Sequence, residues 1–376
     1  MLIEVALYLL TVLLLPAIAG MAVGGFGVMM VARRAEADRQ QAVRRAQVVQ
    51  AIAAPIAFLA SFLLETGPVG LPPAERWHVL PYAVAAAAIV GAIVSRMRSP
   101  WWVQWSIVAA LLGGLAQKFV VFPGSNPYLQ AGLLVSIVLV GLLWSAVARD
   151  ACSVGMAMMA AIVFAGLGVL MVLANFASLG VMAFAVAAAL AGLGIVSGVL
   201  NLREAARLRA AASAQPPAAD AQEAADEAKE KKKADAKSFT DTIASLTKEL
   251  RQIDMTDAEK VADDLRELVP WTAAAATALA AIACVLALCG HAYNYGEVRP
   301  LHWAVILLSP FFALLVCKPC LRGAKPIVGV AWRVGLCLVV VLATIINAVG
   351  RGNAVEDAGD GAAGSDPMMD MLEESK

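Results

Sequence analysis

Between Val5 and Val349 the chain repeats one pattern, an apolar run of about 20 residues followed by a short polar break, and that run length matches the hydrocarbon thickness of a bilayer. Inside lipid no water can satisfy backbone N–H and C=O groups, so a segment of this kind must close its own hydrogen bonds as a helix. Ten segments qualify: Val5–Val31, Val48–Leu64, Val79–Val94, Trp101–Val121, Tyr128–Val147, Cys152–Leu173, Leu179–Leu200, Trp271–Cys289, Leu301–Cys317 and Ile327–Val349. Val79–Val94 is the shortest, and only "ANFAS" separates the sixth segment from the seventh, so nine is the alternative count. Composition agrees: 61% of the residues are hydrophobic and 15% charged, well below the roughly 25% charged residues of soluble domains. The fold class is therefore all-α, a polytopic helical membrane protein with about ten spans arranged seven plus three. Glu4, with no basic residue before the first apolar run, is the wrong flank for a cleaved signal peptide, so that run is expected to stay.

Basic residues set the orientation, because short loops rich in Lys and Arg stay cytoplasmic. With the N-terminus outside, the inner loops hold Arg33, Arg34, Arg39, Arg44, Arg45, Arg96, Arg98, Arg149, Lys318, Arg322 and Lys325. The outer side then holds Arg76, Lys118, Arg299 and Arg351. An inner (cell) membrane location with both termini outside and 201–270 in the cytosol follows. The tryptophans, among them Trp77, Trp144, Trp271 and Trp303, are expected as interfacial anchors. Net charge is zero, which gives no sign of a nucleic-acid partner.

Five regions follow from composition. Residues 1–200 carry seven spans and 271–350 carry three. Between them, 201–237 is a charged low-complexity linker with too few bulky apolar residues to bury a core. In 238–270, Phe239, Ile243, Leu246, Leu250 and Ile253 fall on one helical face in alternating steps of four and three, the spacing of a coiled-coil seam. Thr256 and Glu259 then form a capping box that restarts a helix bearing Val261, Leu265 and Leu268, so a cytosolic helical hairpin is expected. Its apolar face must pack internally, on the membrane surface, on a second copy or on a protein partner. Residues 351–376 read as an acidic, disordered tail; its Gly359, Gly361 and Gly364 spell G-x-G-x-x-G without the strand and helix that give that motif meaning.

Chemistry is sparse. Cys317 and Cys320 have the C-x-x-C spacing of redox and zinc sites, but structural zinc needs four ligands and no second pair accompanies them. A basic turn with incidental thiols is the expectation. His78, His291 and His302 all lie toward the outer side and, with Glu65 and Glu297, are the remaining metal or pH-sensing candidates; interfacial hydrogen bonding is the plainer reading. No cofactor is expected. Arg333 is the one ionisable residue placed several residues inside a span, where snorkelling to the headgroups is expected. Gly20 with Gly24, and Gly194 with Gly198, form G-x-x-x-G pairs that let helices approach closely; Pro16, Pro55 and Pro310 lie within spans. No P-loop, H-E-x-x-H or G-x-S-x-G motif is present, which weighs against an enzyme without excluding one. The leading expectation is a scaffold, regulatory or assembly component of the membrane. Two alternatives stay open: a transporter or channel for a neutral or apolar solute, and a membrane-embedded lipid-modifying enzyme.

Overall fold

A computed structural model describes residues 2–32, 36–68, 76–97, 100, 102–103, 106–107, 127–213, 271–292, 298–320 and 326–362. Among these every regular element is helical. The order is α1 (Leu2–Ala32), α2 (Glu36–Thr66), a 3-10 turn (Arg76–Val79), α3 (Leu80–Arg96), α4 (Pro127–Asp150), α5 (Ser153–Leu173), α6 (Ala177–Ser213), α7 (Ala273–Ala292), α8 (Pro300–Cys320) and α9 (Pro326–Ala362). Among the described residues eight of them, α1–α3 and α5–α9, contain a stretch long and apolar enough to cross a membrane. The predicted segment Tyr128–Val147 is helical as α4, and most of Trp101–Val121 lies outside the described residues. So do 214–270, including the expected hairpin face of Phe239, Ile243, Leu246, Leu250 and Ile253, and so does 363–376.

Local sequence explains where the helices start and stop. Proline, with no N–H to leave unpaired and φ already helical, opens α4, α8 and α9. Cys152 caps α5, its sulfur accepting from the Gly155 N–H. The short "ANFAS" link is a Schellman turn: Asn175 takes φ 61°, the Phe176 N–H donates to the Met171 carbonyl at 2.9 Å, and the Asn175 N–H donates to the Val172 carbonyl at 3.1 Å. Asparagine tolerates this left-handed conformation better than most residues, so five residues suffice to reverse the chain. Three helices outrun the apolar segments that predict them. α2 begins at Glu36, α6 continues to Ser213, and α9 continues to Ala362, so 351–362 of the expected disordered tail is helical. Once a buried span has supplied the nucleus, each further residue adds a hydrogen bond without a new nucleation cost.

Lipid tails are as apolar as leucine, so helices associate in a membrane through close packing rather than through escape from water. The glycines show where that occurs. A Cβ added to Gly20 would overlap the Ala189 backbone, and one on Gly192 would overlap the Ala17 backbone; α1 and α6 therefore cross in near backbone contact. A Cβ on Gly24 would stand 3.0 Å from the Ser197 hydroxyl. The second pair, Gly194 and Gly198, faces α5 instead, against Ala157, Met158 and Val154. α6 is thus gripped on two faces by the two pairs the sequence singles out.

One core is shared by helices from both sides of 214–270. Within the membrane-length stretches, 83% of α7 is buried, 67% of α5 and of α6, and only 17% of α9. α7 is the central post, packed on α3, α4, α2, α5 and α8, while α9 lies at the periphery against α5 and α8. A near-continuous alanine series, Ala275, Ala276, Ala278, Ala280, Ala281 and Ala283, keeps α7 thin enough to be surrounded.

The tryptophans depart from the anchoring expectation. Trp332 and Trp102 are exposed, but Trp144, Trp271 and Trp303 are buried. Trp144 has a specific task there. Pro310 in α8 has no N–H, which strips the Ile306 carbonyl of its helical donor; the Ser309 hydroxyl donates to that carbonyl at 2.8 Å. The Trp144 indole N–H donates to the neighbouring Leu307 carbonyl at 2.9 Å from α4. The Ser309 hydroxyl thus supplies what a membrane proline removes, which is the condition for tolerating one, and Trp144 ties the same turn to α4.

Candidate functional site

Polar contacts among the ends of α3 and α4, the starts of α5 and α7, and α9 form a clasp around the point where the chain re-enters the bundle at Trp271. Thr272 caps α7: its hydroxyl accepts from the Ala275 N–H at 3.0 Å and lies 3.0 Å from the Ser95 hydroxyl at the end of α3. Trp271, buried, donates its indole N–H to the Ser153 carbonyl at 3.1 Å, tying the same point to the start of α5. Arg333 on α9 donates from Nη1 to the Asp150 carbonyl at 2.8 Å, a cation placed on the C-terminus of α4, where the helix dipole favours it. The start of α7 and α9 therefore meet the α4–α5 corner, and α3 meets the cap of α7, through hydrogen bonds that the sequence does not announce. Among the basic residues of this face Arg45 and Arg203 are exposed.

The opposite face is aromatic. Trp77 meets Phe176 edge-on at 5.7 Å between centroids, lies 5.6 Å from Phe62 and has His78 at 4.3 Å. These contacts join the start of α3 to α2 and to the α5–α6 turn. Elsewhere on that face Trp303 closes over Gly290, where an added Cβ would stand 2.6 Å from the indole.

The sequence-level ligand candidates are dispersed over these features. His78 sits beside Trp77, His291 is exposed at the end of α7, and His302 is buried on α8 with Nε2 3.2 Å from Asn347 Oδ1 on α9. Nδ1 of His302 has no partner among the described residues. Among the described residues no three His, Cys, Asp or Glu side chains come together in a group that would hold a metal. Glu297 is outside the described residues. Cys317 and Cys320 occupy the last turn of α8 rather than a loop; Cys317 is buried, and the Cys320 side chain is outside the described ones.

Several polar groups of the interior escaped the sequence reading because they look like ordinary span residues. Gln50 on α2 is buried with Oε1 unpartnered among the described residues, and the Ser61 and Ser197 hydroxyls are likewise buried without a described partner. Ser309 and Cys337 stand 3.4 Å apart across α8 and α9. Their chemistry is that of neutral hydrogen-bonding groups in a packed interior.

No family model, curated protein or solved structure matches this chain. The chain is a multi-pass helical membrane protein on the evidence of its own helices.

Proposed function

We propose that the protein is a membrane scaffold: a close-packed helical platform that presents 214–270 to a partner on the cytosolic side. The observation that carries this reading is the fastening of the point where that segment returns to the bundle. α6 continues as helix to Ser213, and the chain returns at Trp271 and Thr272, held to α5 and α3 by hydrogen bonds. A loop with no task does not need such attachment. The interhelical polar bonds of Trp144, Trp271, Arg333, Ser95 and His302 support the same reading, since each joins helices together.

On this proposal the chain has ten spans in an inner membrane, both termini outside, and 238–270 forms a helical hairpin with coiled-coil spacing whose face of Phe239, Ile243, Leu246, Leu250 and Ile253 binds the partner. Burying such side chains is worth roughly 1.5–3 kcal/mol each, so two aspartates on the face remove several. The full chain carrying Ile243→Asp and Leu250→Asp is expected to insert and accumulate normally while losing the proteins that co-purify with the parent in mild detergent. Identical co-purification would sink the interaction reading, and solute-dependent flux in proteoliposomes would move the function to transport.

Sidedness has its own check. Arg203 and Arg299 are exposed near opposite faces of the bundle. Arg299→Cys is expected to react with a membrane-impermeant maleimide in intact cells whose outer barrier has been removed, and Arg203→Cys only after lysis. The reverse pattern inverts the topology.

A further inference from the structure

We propose that α9 holds one anionic phospholipid at the basic face of the bundle, its phosphate on the Arg333 guanidinium and an acyl chain in the groove along Ala331, Trp332, Gly335, Leu336 and Val339. The groove has a volume of about 370 Å³ and is open to the side. It faces lipid: α9 is the least buried span, Trp332 is 62% exposed and Val339 60%. Gly335 creates its floor, since an added Cβ there would meet nothing within 4 Å.

Arg333 supplies the charge. Leu336, three residues on, lines the groove and lies beside Arg333 on the helix surface. The bond from Nη1 to the Asp150 carbonyl draws the guanidinium to the level where α4 ends and the α5 span begins, the level of headgroups rather than tails. Nε is enclosed without a partner, and among the described residues Asp150 contributes a carbonyl to the cation, not a counter-charge. The Nη donors left after the Asp150 bond are matched by the oxygens of a phosphodiester. A headgroup with net negative charge completes the neutralisation, whereas a zwitterionic one carries its own cation.

The test uses the full chain in nanodiscs containing a minor fraction of phospholipid brominated on its acyl chains, either phosphatidylglycerol or phosphatidylcholine. The difference in tryptophan quenching between the parent and Trp332→Phe reports lipid at the groove. Phosphatidylglycerol is expected to be enriched roughly tenfold over phosphatidylcholine there, the scale of one charge-assisted hydrogen bond. Arg333→Gln should erase the preference and Arg333→Lys keep most of it. Because Arg333→Gln also uncaps α4, Gly335→Leu serves as the second variant: it fills the groove, leaves the Asp150 bond alone, and should remove quenching by both lipids. Equal quenching of Trp332 by the two lipids in the parent, or a preference that survives in Arg333→Gln, overturns the proposal.

Discussion

Gly20→Leu is expected to abolish accumulation of the folded protein. The α1–α6 crossing leaves no room for even a methyl group at that position, because the obstacle is the Ala189 backbone rather than a side chain that can swing away. Overpacking a tight site costs typically 1–3 kcal/mol, and a backbone obstacle puts this substitution at or above ~3 kcal/mol. Gly192→Leu, which meets the Ala17 backbone from the other side, should do the same. The control is close by: an added Cβ at Gly25 finds Val196 at 3.5 Å and Leu200 at 3.6 Å, ordinary contact distances. Gly25→Ala should therefore accumulate like the parent. The measurement is the monodisperse fraction by size-exclusion chromatography after mild solubilisation. A monodisperse Gly20→Leu protein at parental yield would mean that α1 and α6 do not cross as described.

Severing the chain near Ala225 is the second experiment with a large expected effect. Neither piece is expected to accumulate alone, and the two expressed together should reassemble. The reason is the position of α7. Leu279, Ile282, Val285 and Leu286 are buried to within 2% exposure, in a core that includes Phe58, Val84, Trp144 and Phe164 from the other side of the cut. Without α7 the piece ending near Ala225 would expose the faces of α3, α4 and α5 that pack on it, and the other piece would keep, among the described residues, α7, α8 and α9. In lipid the lost energy is that of packing contacts, individually small and collectively large. Reassembly is expected because the cut falls in 201–237, which has too few bulky apolar residues to belong to the core that the two pieces share. Protease-resistant accumulation of the first piece by itself would show that it folds independently of α7.

Much of this fold is legible along the chain, and the reason is the solvent. A bilayer dictates segment length and forces helical hydrogen bonding, so the spans can be read from run length alone, and Pro127, Pro300 and Pro326 mark three of the starts. The Gly20–Gly24 and Gly194–Gly198 pairs are legible as close-packing surfaces for the same reason: only glycine permits such an approach. Which helix each pair meets is not, because in lipid every apolar face resembles every other and hydropathy carries no partner information. The sequence by itself determined an all-helical, multi-pass protein, its alternation of polar ends, and the low-complexity break that interrupts it. Only the tertiary structure decided that α7 stands at the centre and α9 at the edge, that Trp144 is buried against the proline-containing α8, and that Arg333 caps α4. Those assignments depend on distances between residues far apart in the chain, such as Trp144 to Leu307 and Arg333 to Asp150, and no local propensity or periodicity encodes a distance of that kind.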